Sequence, residues 1–178
     1  VLHSKHLHIG AAPVNVYTSR RPNALGPLLP IYYDGAPVDF EDPPDDATFG
    51  KGHIAEFTWK GYVDFMACTE CGRCQSQCPA WNTDKPLSPK LLIMGLRDHA
   101  LAKAPYLLAP ESARDSLPAS VIAEAERPLV GTLEEHGVID PDVLWSCTTC
   151  GACVQQCPVD IEHIDHIVDM RRYQMLVE

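Results

Sequence analysis

Eight cysteines stand in two tight groups of four: Cys68, Cys71, Cys74 and Cys78, then Cys147, Cys150, Cys153 and Cys157. Both groups read C-x2-C-x2-C-x3-C-P, closing on Pro79 and Pro158. This is the spacing with which bacterial proteins hold paired [4Fe–4S] clusters, the fourth cysteine of each run serving the other cluster. Two-residue gaps let one tight loop aim three thiolates at a single cubane, while the fourth lies past the loop and points elsewhere. The expected ligand sets are therefore crossed. Cluster A takes Cys68, Cys71, Cys74 and Cys157; cluster B takes Cys147, Cys150, Cys153 and Cys78. Gly72 and Gly151 hold equivalent loop positions, where a positive φ brings backbone N–H groups towards the sulfurs.

Two other uses of cysteine fit this pattern less well. Disulfide staples spread along a chain to close loops, and 178 residues can build a core without them. Structural zinc also uses C-x2-C pairs, but it draws two cysteines from each of two places and needs no run of four followed by proline. Crossed ligation has a consequence for chemistry. With every iron ligated by cysteine, no coordination position is left for a substrate, so the chain is expected to relay electrons and to carry no substrate site of its own. Reduction adds negative charge, which a nearby cation stabilises. Arg73 in the first run is the candidate to raise the potential of cluster A, with Glu70 opposing it.

The elements that position these loops follow from pattern. Phe57, Trp59, Tyr62, Phe65 and Met66 predict a short helix leading into the first run. Ser88-Pro89 supplies a cap and first turn for a helix over Lys90 to Lys103. Weaker helical pieces are expected at Ser120–Glu126 and Leu133–His136. Asp140-Pro141 repeats the cap device ahead of Trp145 and the second run. Asp160 is expected to cap a last helix carrying Ile161, Ile164, Ile167, Val168 and Leu176, with His163 and His166 on a solvated face. Trp81 and Trp145 flank the runs as core residues or cluster shields. Each half thus reads helix, cysteine loop, proline, helix, and the fold class is all-α.

Residues 1–53 read differently. Pro13, Pro22, Pro27, Pro30, Pro37, Pro43 and Pro44 break helices, Asn23, Gly26 and Gly35 add turns, and Asp39, Glu41, Asp42, Asp45 and Asp46 form an acidic stretch. The expectation is an extended proline-rich arm ahead of a domain over residues 54–178. The chain begins at Val1 rather than Met and reads as a piece of something longer. Its 14 Lys and Arg against 24 Asp and Glu exclude the clustered positive surface that nucleic acid requires. No apolar run approaches the roughly 20 residues needed to span a bilayer. Neither G-x-G-x-x-G nor G-x-x-x-x-G-K-[ST] occurs, so no nucleotide or flavin fold is expected.

On the cysteine runs and their setting, residues 54–178 resemble the α-helical ferredoxin domain of the heterodisulfide-reductase-related family. The segments Thr58-Trp59-Lys60-Gly61-Tyr62, Cys68 to Asn82, and Trp145 to Cys153 are similar to the membrane-bound iron–sulfur reductases that link electron transfer flavoprotein to menaquinone. In those proteins a cytochrome-b-like, quinone-reactive membrane domain precedes the ferredoxin domain and CCG-type domains follow it. Ser4-Lys5-His6-Leu7-His8-Ile9 is similar to the segment leaving their last membrane helix. The resemblance implies two [4Fe–4S] clusters and a flavoprotein donor. It also implies a place at the cytoplasmic face of the membrane, within a larger oxidoreductase. The related iron–sulfur subunits of glycolate and glycerol-3-phosphate dehydrogenases or of heterodisulfide reductase, and a free ferredoxin-like carrier, are the alternatives. This chain has no membrane helix and no adjacent Cys-Cys pair, so haem, quinone and CCG assignments are not carried onto it.

Overall fold

A computed structural model describes residues 6–20, 28–33, 35–44 and 47–177. Ser4, Lys5, Pro22, Asn23, Gly26, Pro27, Asp45 and Asp46, which entered the reading of residues 1–53, lie outside the described residues. The described chain is mostly helical, with one two-residue hairpin, β1 (Tyr32–Tyr33) against β2 (Ala36–Pro37).

Helix α1, Leu7–Thr18, forms where an extended arm was expected. Pro13 lies inside it and removes one helical hydrogen bond, which packing against the next helix offsets. That next helix is α2, Trp59–Ala67, capped by the Thr58 hydroxyl on the Gly61 N–H. α3, Arg73–Ser76, lies inside the first cysteine run. The Ser88 hydroxyl accepts from Leu91 N–H at 3.2 Å and opens α4, which runs Pro89–Leu108, longer than the sequence suggested because it continues through Pro105. α5 (Glu111–Arg114) and α6 (Ala119–Glu126) follow. Leu133–His136, expected to be helical, is a turn: Thr132 and Glu135 bond to each other and His136 takes a positive φ.

Asp140 caps α7, Pro141–Trp145, by accepting from Asp142 N–H at 2.8 Å. α8 is Ala152–Gln156 and α9 is His163–Leu176. Asp160 does not cap α9; it sits at φ 54°, in the turn leaving Pro158, and Glu162 holds the cap position. Phe65, Leu92, Ile93, Leu96, Leu144, Ile167 and Met170 form the centre of the core. Leu176, by contrast, is exposed.

The described part of residues 1–53 is fastened to the rest by polar contacts. Asn15, fully buried, donates to Asp64 Oδ1 at 2.7 Å and to the Val159 carbonyl at 2.8 Å. Arg20 pairs with Glu162 and Asp165, and Lys51 N–H donates to the Asp169 carbonyl. Gly50 passes so close to α9 that a Cβ would lie 2.2 Å from the Asp169 oxygen. Asp64 is the hub of this network. Lys60 Nζ reaches its Oδ1 at 2.7 Å, and His166 Nε2 meets its Oδ2 at 2.8 Å. Burial pushes the Asp64 carboxyl up, but the His166 hydrogen bond and the His166 and Lys60 charges outweigh it and hold it below the usual carboxylate range. His163 and His166, expected on a solvated face, are therefore both buried.

Candidate iron–sulfur site

Each cysteine run folds in the same way. A helix delivers the first cysteine: α2 ends at Ala67 before Cys68, and α7 ends at Trp145 before Cys147. The loop then takes two left-handed residues in matching places, Glu70 and Gly72 in the first run, Thr149 and Gly151 in the second. Glycine enters this conformation without strain, and it starts α3 and α8, which carry Cys74 and Cys153 inward. α3 and α8 pack on one another, so the two runs face each other. Cys68, Cys74, Cys78 and Cys153 are buried, Cys147 and Cys157 partly so, while Cys71 and Cys150 reach the surface.

The cysteines line two hollows. In the first stand Cys68, Cys71, Cys74 and Cys157, with Thr69, Glu70, Lys90, Val159, Ile161 and His163 among the wall residues. In the second stand Cys78, Cys147, Cys150 and Cys153, walled by Pro79, Ala80, Leu87, Pro89, Thr148, Ile164 and Ile167. Three sulfurs in each hollow come from one run and the fourth from the other.

Backbone donors point at these sulfurs. Thr149 N–H donates to Cys147 Sγ at 3.3 Å and Ile161 N–H to Cys157 Sγ at 3.5 Å. Burial pushes the thiols of Cys68, Cys74, Cys147, Cys153 and Cys157 up, Cys74 to about 12, and neighbouring thiolates add to the effect. Four thiolates so placed need a compensating cation. Iron supplies it, and four cysteine thiolates are the ordinary ligand set of a [4Fe–4S] cluster. The donor set and the hollows fit a cluster.

The chain matches the model of the 4Fe–4S dicluster domain over residues 67–161. It belongs to that family. Its eight cysteines in two groups hold two [4Fe–4S] clusters, and the chain is an iron–sulfur electron-transfer module. It is similar to a protein of Syntrophomonas wolfei named EtfAB:quinone oxidoreductase, 44% identical over 130 residues, covering 70% of this chain and 18% of that protein. It is similar to the probable iron-sulfur-binding oxidoreductase FadF of Bacillus subtilis, 37% identical over 190 residues, covering 98% of this chain and 26% of the relative. A probable membrane-anchored ferredoxin of Chromohalobacter salexigens is 40% identical over 148 residues, covering 79% of this chain and 21% of the relative. The chain thus spans only about a fifth to a quarter of the length of these relatives. No solved structure matches it significantly. No helix among the described residues is long and apolar enough to cross a membrane.

Some residues singled out in the dicluster sequence take other places. Arg73 is exposed and is not among the first hollow's wall residues. Glu70 is in that wall, paired with Arg97 at 2.8 Å. Trp81 and Trp145 are 39% and 49% exposed, so neither is a core residue. Trp145 instead lies under the Arg171 guanidinium, which also donates to the Cys147 carbonyl at 2.7 Å.

Sequence reasoning missed Lys90, Arg97, Arg171 and the wall role of His163. His163 is kept neutral by burial, which lowers its pKa to about 4 with the His166 charge adding to the effect, and its Nδ1–H donates to the Ile161 carbonyl at 3.0 Å. Only the recurrence of an arginine downstream of each run hinted at Arg97 and Arg171. Nothing in the local pattern marked Lys90.

Proposed function

We propose that this chain carries electrons through two [4Fe–4S] clusters, one in each hollow, as the relay of a larger membrane-associated oxidoreductase. The donor in this reading is a flavoprotein of the electron transfer flavoprotein kind, and the acceptor is menaquinone at a cytochrome-b-like domain. Cys68, Cys71, Cys74 and Cys157 hold one cluster; Cys147, Cys150, Cys153 and Cys78 hold the other. The observation that carries the reading is the meeting of three cysteines from one run with the fourth of the other around each hollow. When bound, the clusters supply one-electron chemistry.

The protein's own residues do the rest. Both runs contribute to each hollow, so α3 and α8 fix the separation of the clusters. Thr149, Ile161 and their neighbours give N–H donors to the sulfurs, and the apolar wall from Ala80, Leu87, Ile164 and Ile167 keeps water out. Cys71 and Cys150, the two exposed ligands, mark where electrons enter and leave. With four cysteines per cluster, no position is open to a substrate.

Residues 54–178 form the ferredoxin domain in this reading, and residues 1–53 connect it to a membrane domain. The domain sits at the cytoplasmic face of the membrane, beside a CCG-type domain. A flavoprotein donor and a quinone acceptor are supported by the similarity to the EtfAB:quinone oxidoreductase of Syntrophomonas, and membrane attachment by the similarity to the probable membrane-anchored ferredoxin of Chromohalobacter.

The test is anaerobic mixing of the full-length protein in membranes with reduced electron transfer flavoprotein of the same organism. Cluster reduction followed by EPR, and reoxidation on adding a menaquinone, is the expected result. Reduction instead by a glycolate or glycerol-3-phosphate dehydrogenase flavoprotein, or by a heterodisulfide reductase system, would move the chain to one of those complexes. Recovery of the chain alone as a soluble carrier would remove the membrane relay.

A further inference from the structure

The two hollows are built from repeated runs, yet their walls differ in charge. The second is walled by Pro79, Ala80, Leu87, Pro89, Ile164 and Ile167, with Thr148 its one polar non-cysteine side chain. The first carries Lys90, Glu70, His163 and Thr69. The asymmetry starts at the first turn of α4, which lies between the hollows. Pro89 faces the second and Lys90, the next residue, faces the first.

In the first wall Glu70 is paired with Arg97 at 2.8 Å, and Arg97 also meets the exposed Asp98 at 3.0 Å. His163 contributes a neutral ring. Lys90 is half-buried and has no ion-pair partner among the described residues. Backbone donors do not distinguish the two: Ile161 N–H donates to Cys157 Sγ at 3.5 Å in the first hollow, and Thr149 N–H to Cys147 Sγ at 3.3 Å in the second. Arg171 is the cation on that side, but it stands outside the wall, its N–H groups on the Leu144 and Cys147 carbonyls and its face on Trp145.

Reduction adds one negative charge to a cubane. A cation in the wall and N–H groups on the sulfurs favour it, whereas a dry apolar wall opposes it. We propose that Lys90 makes the two clusters unequal, holding the one in the first hollow at the higher potential, so that the relay runs from the second hollow to the first. The inference rests on the two-cluster reading given under Proposed function. In the step itself one electron leaves the reduced cluster of the second hollow, which returns to its 2+ state, and reduces the cluster of the first from 2+ to 1+. No proton moves and no bond forms or breaks. Lys90 acts as a positioning charge, not as a ligand.

The test is a potentiometric titration followed by EPR on the iron-loaded chain, with iron and sulfide measured first. The chain should show two one-electron steps, and Cys71→Ser should alter the spectrum of the species formed at the upper one. Lys90→Met and Lys90→Gln should each lower the upper step by about tenfold in its reduction equilibrium, which is about 59 mV for one electron, and leave the lower step in place. Lys90→Arg should restore the upper step. A shift of the lower step, no shift in either neutral variant, or no restoration by arginine would overturn the proposal. Fewer than two clusters in the unsubstituted chain would instead remove the reading beneath it, and that is seen before any titration begins.

Discussion

A thiol buried as Cys74 is stays protonated at neutral pH until a metal cation replaces the proton. The burial and mutual repulsion that raise these pKa values therefore couple metal binding to proton release. Crossed ligation predicts which residues act together. Cys157→Ala and Cys71→Ala should leave the same residual EPR spectrum, and Cys78→Ala and Cys150→Ala should leave the other. If Cys157→Ala instead matched Cys150→Ala, each run would serve its own cluster. The two cysteine groups were legible in the sequence because their spacing is local and the loop geometry follows from it. The charges around them were not. Lys90 and Arg97 reach the first run from α4, and Arg171 reaches the second from α9, so their roles depend on packing. His163 and His166 looked solvated because Glu162, Asp165 and Asp169 surround them in sequence. The partner that buries His166 is Asp64, supplied from 102 residues away.

Elements followed local chemistry where that chemistry was self-sufficient. Ser88-Pro89 and Asp140-Pro141 both start helices as their side chains dictate. α1 was missed because Pro13 argues against a helix, and the compensating contacts to α2, Asp64 and Val159 lie far away in sequence. The insert between the runs depends on a similar distant contact. His99 of α4 is buried, and its Nδ1 meets Glu124 of α6 at 2.6 Å. Burial pushes the His99 ring below its ordinary pKa, with Lys103 and Arg127 adding to the effect, and Glu124 offsets this only in part. The unfolded ring takes up a proton below about pH 6.5 while the folded ring stays neutral to lower pH. The unfolded chain then binds more protons, so this contact's contribution to stability falls as pH drops from about 6.5. Urea denaturation at a series of pH values should show that slope, and His99→Gln should flatten it. An unchanged slope in His99→Gln would assign the dependence to other groups.

At the scale of the whole molecule, two short helices and two loops are held together by groups the polypeptide does not itself contain. α3 has four residues and α8 has five, too short to persist without tertiary support. Each hollow draws on both runs, so in the proposed reading the clusters link the halves as well as conduct between them. Residues 7–20 add a strap that closes on Asp64, Glu162 and Asp165. All of this depends on the pair of clusters being present. The most direct measurement is anaerobic iron and acid-labile sulfide analysis of the chain, with EPR after dithionite reduction. The account predicts about eight iron and eight sulfide per chain, and [4Fe–4S] signals broadened by a second spin nearby. Zinc in place of iron, or a single isolated cluster, would contradict it.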